Sequence, residues 1–235
     1  SGGNPRSVLL AVYRYLTELG CRWWRPGAEG ELIPENNQFL DKSVKVKESP
    51  SYSHRGICIE GAVSYEHVRD IIDWAPKVGY NSYFIQFREG FTFFERWYKH
   101  ENNSLLEPEE CSRSQVREYV NDLKQEIKKR DLLYHAVGHG WTCEPFGIPG
   151  LGWDQKQVEV PEGVEQYLAK VDGERQLWQG IPLNTNLCYS KPEVRQIIID
   201  DIVKYIEENP GVDLLHLWLA DGSNNQCECE ACRQK

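Results

Sequence analysis

The stretch Gly56–Phe87, GICIEGAVSYEHVRDIIDWAPKVGYNSYFIQF, reads as strand, helix and strand in immediate succession, and that alternation decides the fold. Gly56-Ile-Cys-Ile-Glu60 is a short apolar strand, and Ser64 is placed to cap a helix over Tyr65 to Lys77, with Glu66 and His67 in its first turn. Asn81-Ser-Tyr-Phe-Ile-Gln-Phe87 is rich in aromatic and branched residues, as a second strand should be. The pattern then repeats. A long aromatic loop, Phe91 to Cys111, precedes a helix from about Ser114 to Arg130, whose Val116, Tyr119, Val120, Leu123 and Ile127 form one stripe. Leu132 to Val137 is a third strand, ending at Gly138-His-Gly-Trp141. A Gly-, Pro- and Trp-rich excursion runs to about Leu187, Pro192 opens a helix through Ile206, and Leu214 to Ala220 reads as a buried fourth strand.

Strands alternating with helices of this length pair in parallel through right-handed crossovers, which leaves a doubly wound sheet or a (β/α)8 barrel. No strand is followed by the glycine-rich phosphate turn of the common nucleotide-binding folds. The long segments, 88–112, 138–187 and from 221 onward, all follow strand C-termini, where a barrel builds its active site. The predicted fold class is therefore α/β, a (β/α)8 TIM-type barrel of which about the first four βα units are present. Upstream, Val8 to Leu19 reads as a helix stopped by Gly20, and Cys21 to Gly27 as a short strand into a turn. Glu29 to Pro50 is polar with a weak alternation at Val44-Lys-Val46, so a domain boundary is expected near Pro50, dividing residues 1–50 from 51–235.

A formal charge of -9 argues against a nucleic-acid partner, which would need clustered Lys and Arg. With 40% hydrophobic and 27% charged residues and no apolar run of membrane-spanning length, a soluble chain is expected, its localisation and oligomeric state open. Of eight cysteines, Cys21, Cys58, Cys111, Cys143 and Cys188 stand singly, the usual setting of a small buried hydrophobe. Cys227, Cys229 and Cys232 instead share the segment Asp221-Gly-Ser-Asn-Asn-Gln-Cys-Glu-Cys-Glu-Ala-Cys-Arg233, for which a metal site, a redox site and an active-site rim are all open readings.

Tyr52-Ser-His-Arg-Gly-Ile-Cys-Ile-Glu-Gly61, followed by a helix and Val78-Gly-Tyr-Asn81, resembles the opening of the catalytic barrel in hexosaminidase-type glycoside hydrolases, both the family 20 hexosaminidases and the O-GlcNAcase-like enzymes. Ala11 to Trp23 with Pro26-Gly27 resembles the end of the small α/β domain that precedes such barrels and those of α-glucuronidases, which would make residues 1–50 the C-terminal part of an accessory domain. Leu187-Cys-Tyr-Ser-Lys-Pro-Glu-Val194 and the Asp-Gly before Cys-x-Cys-x-x-Cys are similar to segments of a bacterial family of uncharacterised, family-20-like proteins. Family 20 enzymes end strand four with Asp-Glu and O-GlcNAcases with Asp-Asp; here Gly222 follows Asp221.

The resemblance implies glycosidic-bond hydrolysis of a carbohydrate substrate by carboxylate acid/base chemistry, with no catalytic cofactor. Asp221 would be the general acid or a substrate-orienting carboxylate; by position alone it is equally a turn-capping Asp-Gly. Glu60 would be a sugar contact or the second carboxylate, against a buried pair with Arg55 or Arg88. Arg55 resembles the arginine that grips sugar hydroxyls, against a structural ion pair, and Arg88 is counted with it as substrate-binding. His139 would touch the sugar with Trp141 as a stacking platform, whereas His135 suits the core. The loop aromatics Phe91, Phe93, Phe94, Trp97, Trp153 and Trp178 suit sugar faces or packing beneath loops. Cys227, Cys229 and Cys232 supply three thiolates where structural zinc wants four, with Cys188 as the fourth ligand and Cys143 the alternative; disulfides or free thiols compete. The missing second acid motivates the alternative function, a non-catalytic carbohydrate-binding protein on a degenerate barrel.

Overall fold

The computed structural model describes residues 3–35, 43–154 and 158–234, which fall into two compact units, Ser1–Ile85 with Phe93–His135 and Gln86–Thr92 with Ala136–Lys235. In the first unit, α1 (Pro5–Glu18) starts where the Asn4 side chain accepts the Ser7 N–H and Pro5 occupies the first turn, whose N–H would be orphaned anyway. Strands β1 (Arg22–Trp23) and β2 (Glu31–Leu32) form a two-residue antiparallel pair. Residues 43–50 form no strand, so the alternation at Val44-Lys-Val46 has no ladder behind it. β3 (Gly56–Cys58) is shorter than its apolar run and leads to α2 (Tyr65–Trp74), capped by Ser64 as expected.

α2 stops before the predicted Lys77. Pro76 has no N–H to continue the helical ladder, so the chain tightens into a 3-10 turn over Ala75–Val78 and leaves through Gly79 at φ 94°, a left-handed conformation open to glycine. β4 (Ser82–Gln86) follows, parallel to β3 with Gly56 opposite Ser82. Part of the expected aromatic loop is instead helical: α3 (Phe91–Tyr98) turns Phe93 and Phe94 fully inward, and that burial supports it. α4 (Arg113–Lys129) begins at the Ser112 cap and packs on α2, with Val116, Leu123 and Ile127 buried on α4 and Val68 and Ile72 buried on α2. Each such side chain contributes about 1.5–3 kcal/mol relative to exposure. Around them Asp73 receives both Arg130 and Lys77, and Lys77 also reaches Glu31.

β5 (Leu133–Gly138) leads into the second unit's long excursion, which holds a hairpin where only loop is expected from the sequence. β6 (Lys170–Val171) and β7 (Glu174–Arg175) pair antiparallel across Asp172 at φ 50° and Gly173 at φ 88°, and two left-handed central residues are the requirement of a two-residue hairpin turn. α5 (Pro192–Glu208) buries Val194, Ile198 and Tyr205. β8 (Leu214–Leu217) and the single turn α6 (Glu230–Arg233) complete the described elements.

The principal sheet is parallel, with strands in chain order β3-β4-β5-β8. Among the described residues β8 lies at one edge of this sheet, and they do not bury it as the sequence led one to expect: Leu217 is 52% exposed and Leu219 beyond it 56%. Among the described residues, no helix is long and apolar enough to cross a membrane.

Candidate functional site

The C-terminal ends of β4, β5 and β8 carry a cluster of rings within the second unit. His139, 8% exposed, sits edge-on to Trp218 at 4.9 Å between ring centres and edge-on to Trp153 at 5.6 Å. Phe87 lies 4.9 Å from Trp153 and 5.8 Å from His139, while Trp153 and Trp218 remain half-buried. The backbone beneath is unusual. Phe87 (φ 63°) and Val137 (φ 71°) are both left-handed, and the Phe87 N–H donates to the Val137 carbonyl at 2.6 Å. That conformation costs a non-glycine residue on the order of 1–3 kcal/mol and is rarest for a branched one. The pair turns both strand ends at the ring cluster, and Gly138 and Gly140, also at positive φ, bracket His139.

Asp221 follows β8 and is exposed. Its N–H donates to the Leu183 carbonyl at 3.2 Å, and its carboxylate accepts from the Gly222 N–H at 3.0 Å. The turn is fixed from beneath by Asn225, 1% exposed, whose side-chain amide donates to the carbonyls of Asn184 (2.8 Å) and Asp221 (3.0 Å). Asn225 in turn accepts the Asn186 amide at 2.9 Å, and Asn186 accepts the Ala220 N–H at 3.3 Å and the Tyr189 hydroxyl at 3.1 Å. Neither asparagine is singled out by the sequence, where the cysteines dominate the segment that holds Asn225. A buried asparagine leaves no periodic signature, so only its place between an acid and the thiols draws attention to it.

The four cysteines expected to gather do so. The sulfurs of Cys188, Cys227, Cys229 and Cys232 lie within 4.8 Å of one another, with Cys188 3.6 Å from Cys229 and 3.9 Å from Cys232. Ligands about 2.3 Å from a tetrahedral ion sit roughly 3.8 Å apart, so the set fits a metal and could hold one. All four are free thiols rather than disulfides. The Cys229 thiol is pulled down to about 6 by the Cys232 N–H and the Ser190 hydroxyl, whereas burial pushes Cys227 up to about 11. Cys143, the alternative fourth ligand, lies outside the group; it is buried, its sulfur 3.5 Å from the Gly140 carbonyl, and burial pushes its thiol far up.

Other expected residues are placed differently. Trp141 is 1% exposed: its Nε1 donates to the His216 carbonyl at 2.8 Å, Tyr205 stands against it at 5.8 Å, and the Arg88 guanidinium lies 5.2 Å from its ring centre. A ring so enclosed offers no face to a sugar, so the stacking platform expected at Trp141 is a packing residue. Arg88 is engaged as well, held by Glu144 at 3.2 Å and by both carboxylate oxygens of Asp201. Arg55 lies at the N-terminal end of β3, where its guanidinium donates to the carbonyls of Gly79 and Tyr52, each at 2.7 Å. It clamps the chain entering the strand, away from the strand ends where ligands bind. Glu60, just beyond β3, is exposed and accepts its neighbour Gly61's N–H at 3.1 Å, so the burial expected of this carboxylate is not found. His135 is 5% exposed, 4.7 Å from the His54 ring, as suits the core.

No curated protein and no solved structure matches the chain. A family model described as a domain of unknown function, DUF4838, matches residues 25–235, and the chain belongs to that family.

Proposed function

We propose that the protein is a carbohydrate-active hydrolase that cleaves a glycosidic bond, on a sheet that forms the first half of a (β/α)8 barrel. The observation that carries the reading is the ring cluster at the strand C-termini, where half-buried Trp153 and Trp218 flank His139 and the chain runs on from Trp218 to an exposed carboxylate, Asp221. Tryptophan with one open face packs on the C–H surface of a sugar, and an imidazole beside it bonds hydroxyls. Asp221 is the general acid or orienting carboxylate, held by its buried asparagine bracket, and Glu60 is the strand-end carboxylate of the first unit. The sequential strand order, without the reversal of a doubly wound sheet, supports the barrel.

For the cysteines the proposed ion is zinc. Four thiolates saturate it and keep no position for substrate or water, so its task is structural, the stapling of the segment after β8. Elemental analysis should find about one zinc per chain; a metal-free protein with intact thiols would remove this part.

The functional test is hydrolysis of a glycoside and oligosaccharide panel by the full-length protein beside Asp221→Asn and Glu60→Gln. Release that collapses in Asp221→Asn with folding unchanged establishes the hydrolase, and release untouched by both variants moves the chemistry elsewhere. Gly222, standing where the enzymes that the chain resembles carry a second acid, favours one other reading, a sugar-binding protein. No release, with sugars still protecting against unfolding, would select it.

A further inference from the structure

The four sulfurs have an outer layer, and it comes from the β6–β7 hairpin. The Arg175 guanidinium spans Cys188 at 3.7 Å and Cys227 at 3.9 Å while also donating to the Leu168 carbonyl. The Lys170 N–H donates to the Cys227 sulfur at 3.3 Å, and the Ser190 hydroxyl lies 3.3 Å from Cys188 and 3.7 Å from Cys229. The same hairpin is tied to the cysteine segment by its backbone, the Glu228 N–H donating to the Lys170 carbonyl at 2.7 Å and the Asp172 N–H to the Glu228 carboxylate at 3.1 Å.

Four thiolates around a divalent cation leave two negative charges at the site, and this chain is already acidic, at -9. Charge of that size in a half-buried position needs a counter-ion and N–H donors, and outer partners of metal ligands set affinity as well as orientation. A guanidinium suits the task better than an ammonium, because its planar fork reaches two sulfurs and a carbonyl at once.

We propose that Arg175 is the outer-shell counter-ion of a zinc tetrathiolate formed by Cys188, Cys227, Cys229 and Cys232, and that it sets the affinity of the site for zinc. The inference rests on the zinc reading above and names the residue on which that reading depends most. It makes the β6–β7 hairpin part of the metal site: zinc orders the hairpin and the segment after β8 together.

The test is zinc affinity by chelator competition on the full-length protein, for the parent, Arg175→Gln, Arg175→Lys and Arg233→Gln. Arg233 follows Cys232 directly but pairs with Glu228 at 3.8 Å, so its variant removes the same charge without touching the arginine that spans the sulfurs. Expected is a loss of about 10- to 100-fold for Arg175→Gln and less than about threefold for Arg233→Gln. A parent that binds zinc with Arg175→Gln within about twofold of it overturns the counter-ion role and leaves zinc standing. Equal losses in both glutamine variants also overturn it, since net charge alone would then explain them. A parent that binds no zinc removes the zinc reading itself and this inference with it. Should Arg175→Gln not fold, Arg175→Lys decides: a loss of about threefold or more supports the proposal, because an ammonium cannot span the three acceptors, and parental affinity overturns it.

Discussion

Asn186 donates its side-chain amide to the side-chain oxygen of Asn225 at 2.9 Å, and both residues are at most 4% exposed. That bond joins the chain just before Cys188 to the turn just after Asp221, so the four clustered thiols and the exposed acid share one polar bracket. Each member serves several partners: Asn225 holds the carbonyls of Asn184 and Asp221, and Asn186 holds the Ala220 N–H. Buried polar groups tolerate such density only when every atom is matched.

Asn225→Leu should therefore cost more than its volume suggests. It strands two carbonyls and the Asn186 amide, at about 1–3 kcal/mol for each group left unsatisfied, so a total loss of about 3 kcal/mol or more is expected. Urea unfolding with an unchanged slope measures it. A loss below about 0.5 kcal/mol would mean that water replaces the bracket without cost.

Arg88 is expected to matter for stability and not for ligand binding. Removing it as Arg88→Met takes one guanidinium away from both Glu144 and Asp201, whose side chains are 19% and 20% exposed. Breaking a buried pair from one side costs about 3 kcal/mol or more. A folded variant with parental stability and weakened sugar binding would return Arg88 to the ligand site.

The first unit carries a pH signature. Burial raises the Asp73 carboxyl, but the hydrogen bonds from Lys77 and Arg130 outweigh it and hold the group below its ordinary 3.8. A carboxyl depressed in the folded state contributes stability above its unfolded value and loses that contribution as pH falls through the folded one. Lys77 works in the opposite sense: burial lowers it, Asp73 and Glu31 raise it further, and its contribution is lost only as pH rises beyond the lysine range. The stability difference between the parent and Asp73→Asn should thus be full at neutral pH and shrink below about pH 4. A difference that stays constant from pH 7 to pH 3 would show that the charge plays no part.

The sequence displays some of this plainly and hides the rest for identifiable reasons. Ser64 and Ser112 announce their helices because a cap is a local device, and the stripe of α4 shows because burial on a helix has a period. Phe91–Tyr98 misleads because its helix is supported by burying Phe93 and Phe94, a tertiary cause. The hairpin at Asp172-Gly173 is legible in principle, since Asp-Gly between extended residues is a strong local turn signal, but its two-residue strands are too short to show an alternation. That a fourth ligand should join the later triplet follows from ligand number, but Cys188 rather than Cys143 is picked out only by the resemblance of its Leu-Cys segment, and nothing in the sequence sets Arg175 at the same sulfurs. No pattern could pair Arg88 with Asp201 across 113 residues. Trp141 and Trp153 look alike in the sequence and differ only in what surrounds them.

Those two tryptophans provide the sharpest separation of scaffold from site. Trp141→Phe keeps an aromatic ring in its enclosure but deletes the Nε1 donor to the His216 carbonyl, so it should cost about 0.5–1.5 kcal/mol of stability, the net worth of one hydrogen bond. Sugar affinity should be untouched, because no face of Trp141 is open. Trp153→Ala removes a half-buried ring beside Phe87 and His139. If that ring packs on a sugar, its loss is a hot-spot truncation worth more than about 1 kcal/mol, or roughly tenfold in dissociation constant at 1.4 kcal/mol. Calorimetric titration with the sugar that the glycoside panel selects, beside thermal unfolding of both variants, reads the two effects apart. Affinity that falls in Trp141→Phe and not in Trp153→Ala would reverse the assignment, since the binding face would then lie under the enclosed ring of Trp141 and the half-buried ring of Trp153 would be the scaffold.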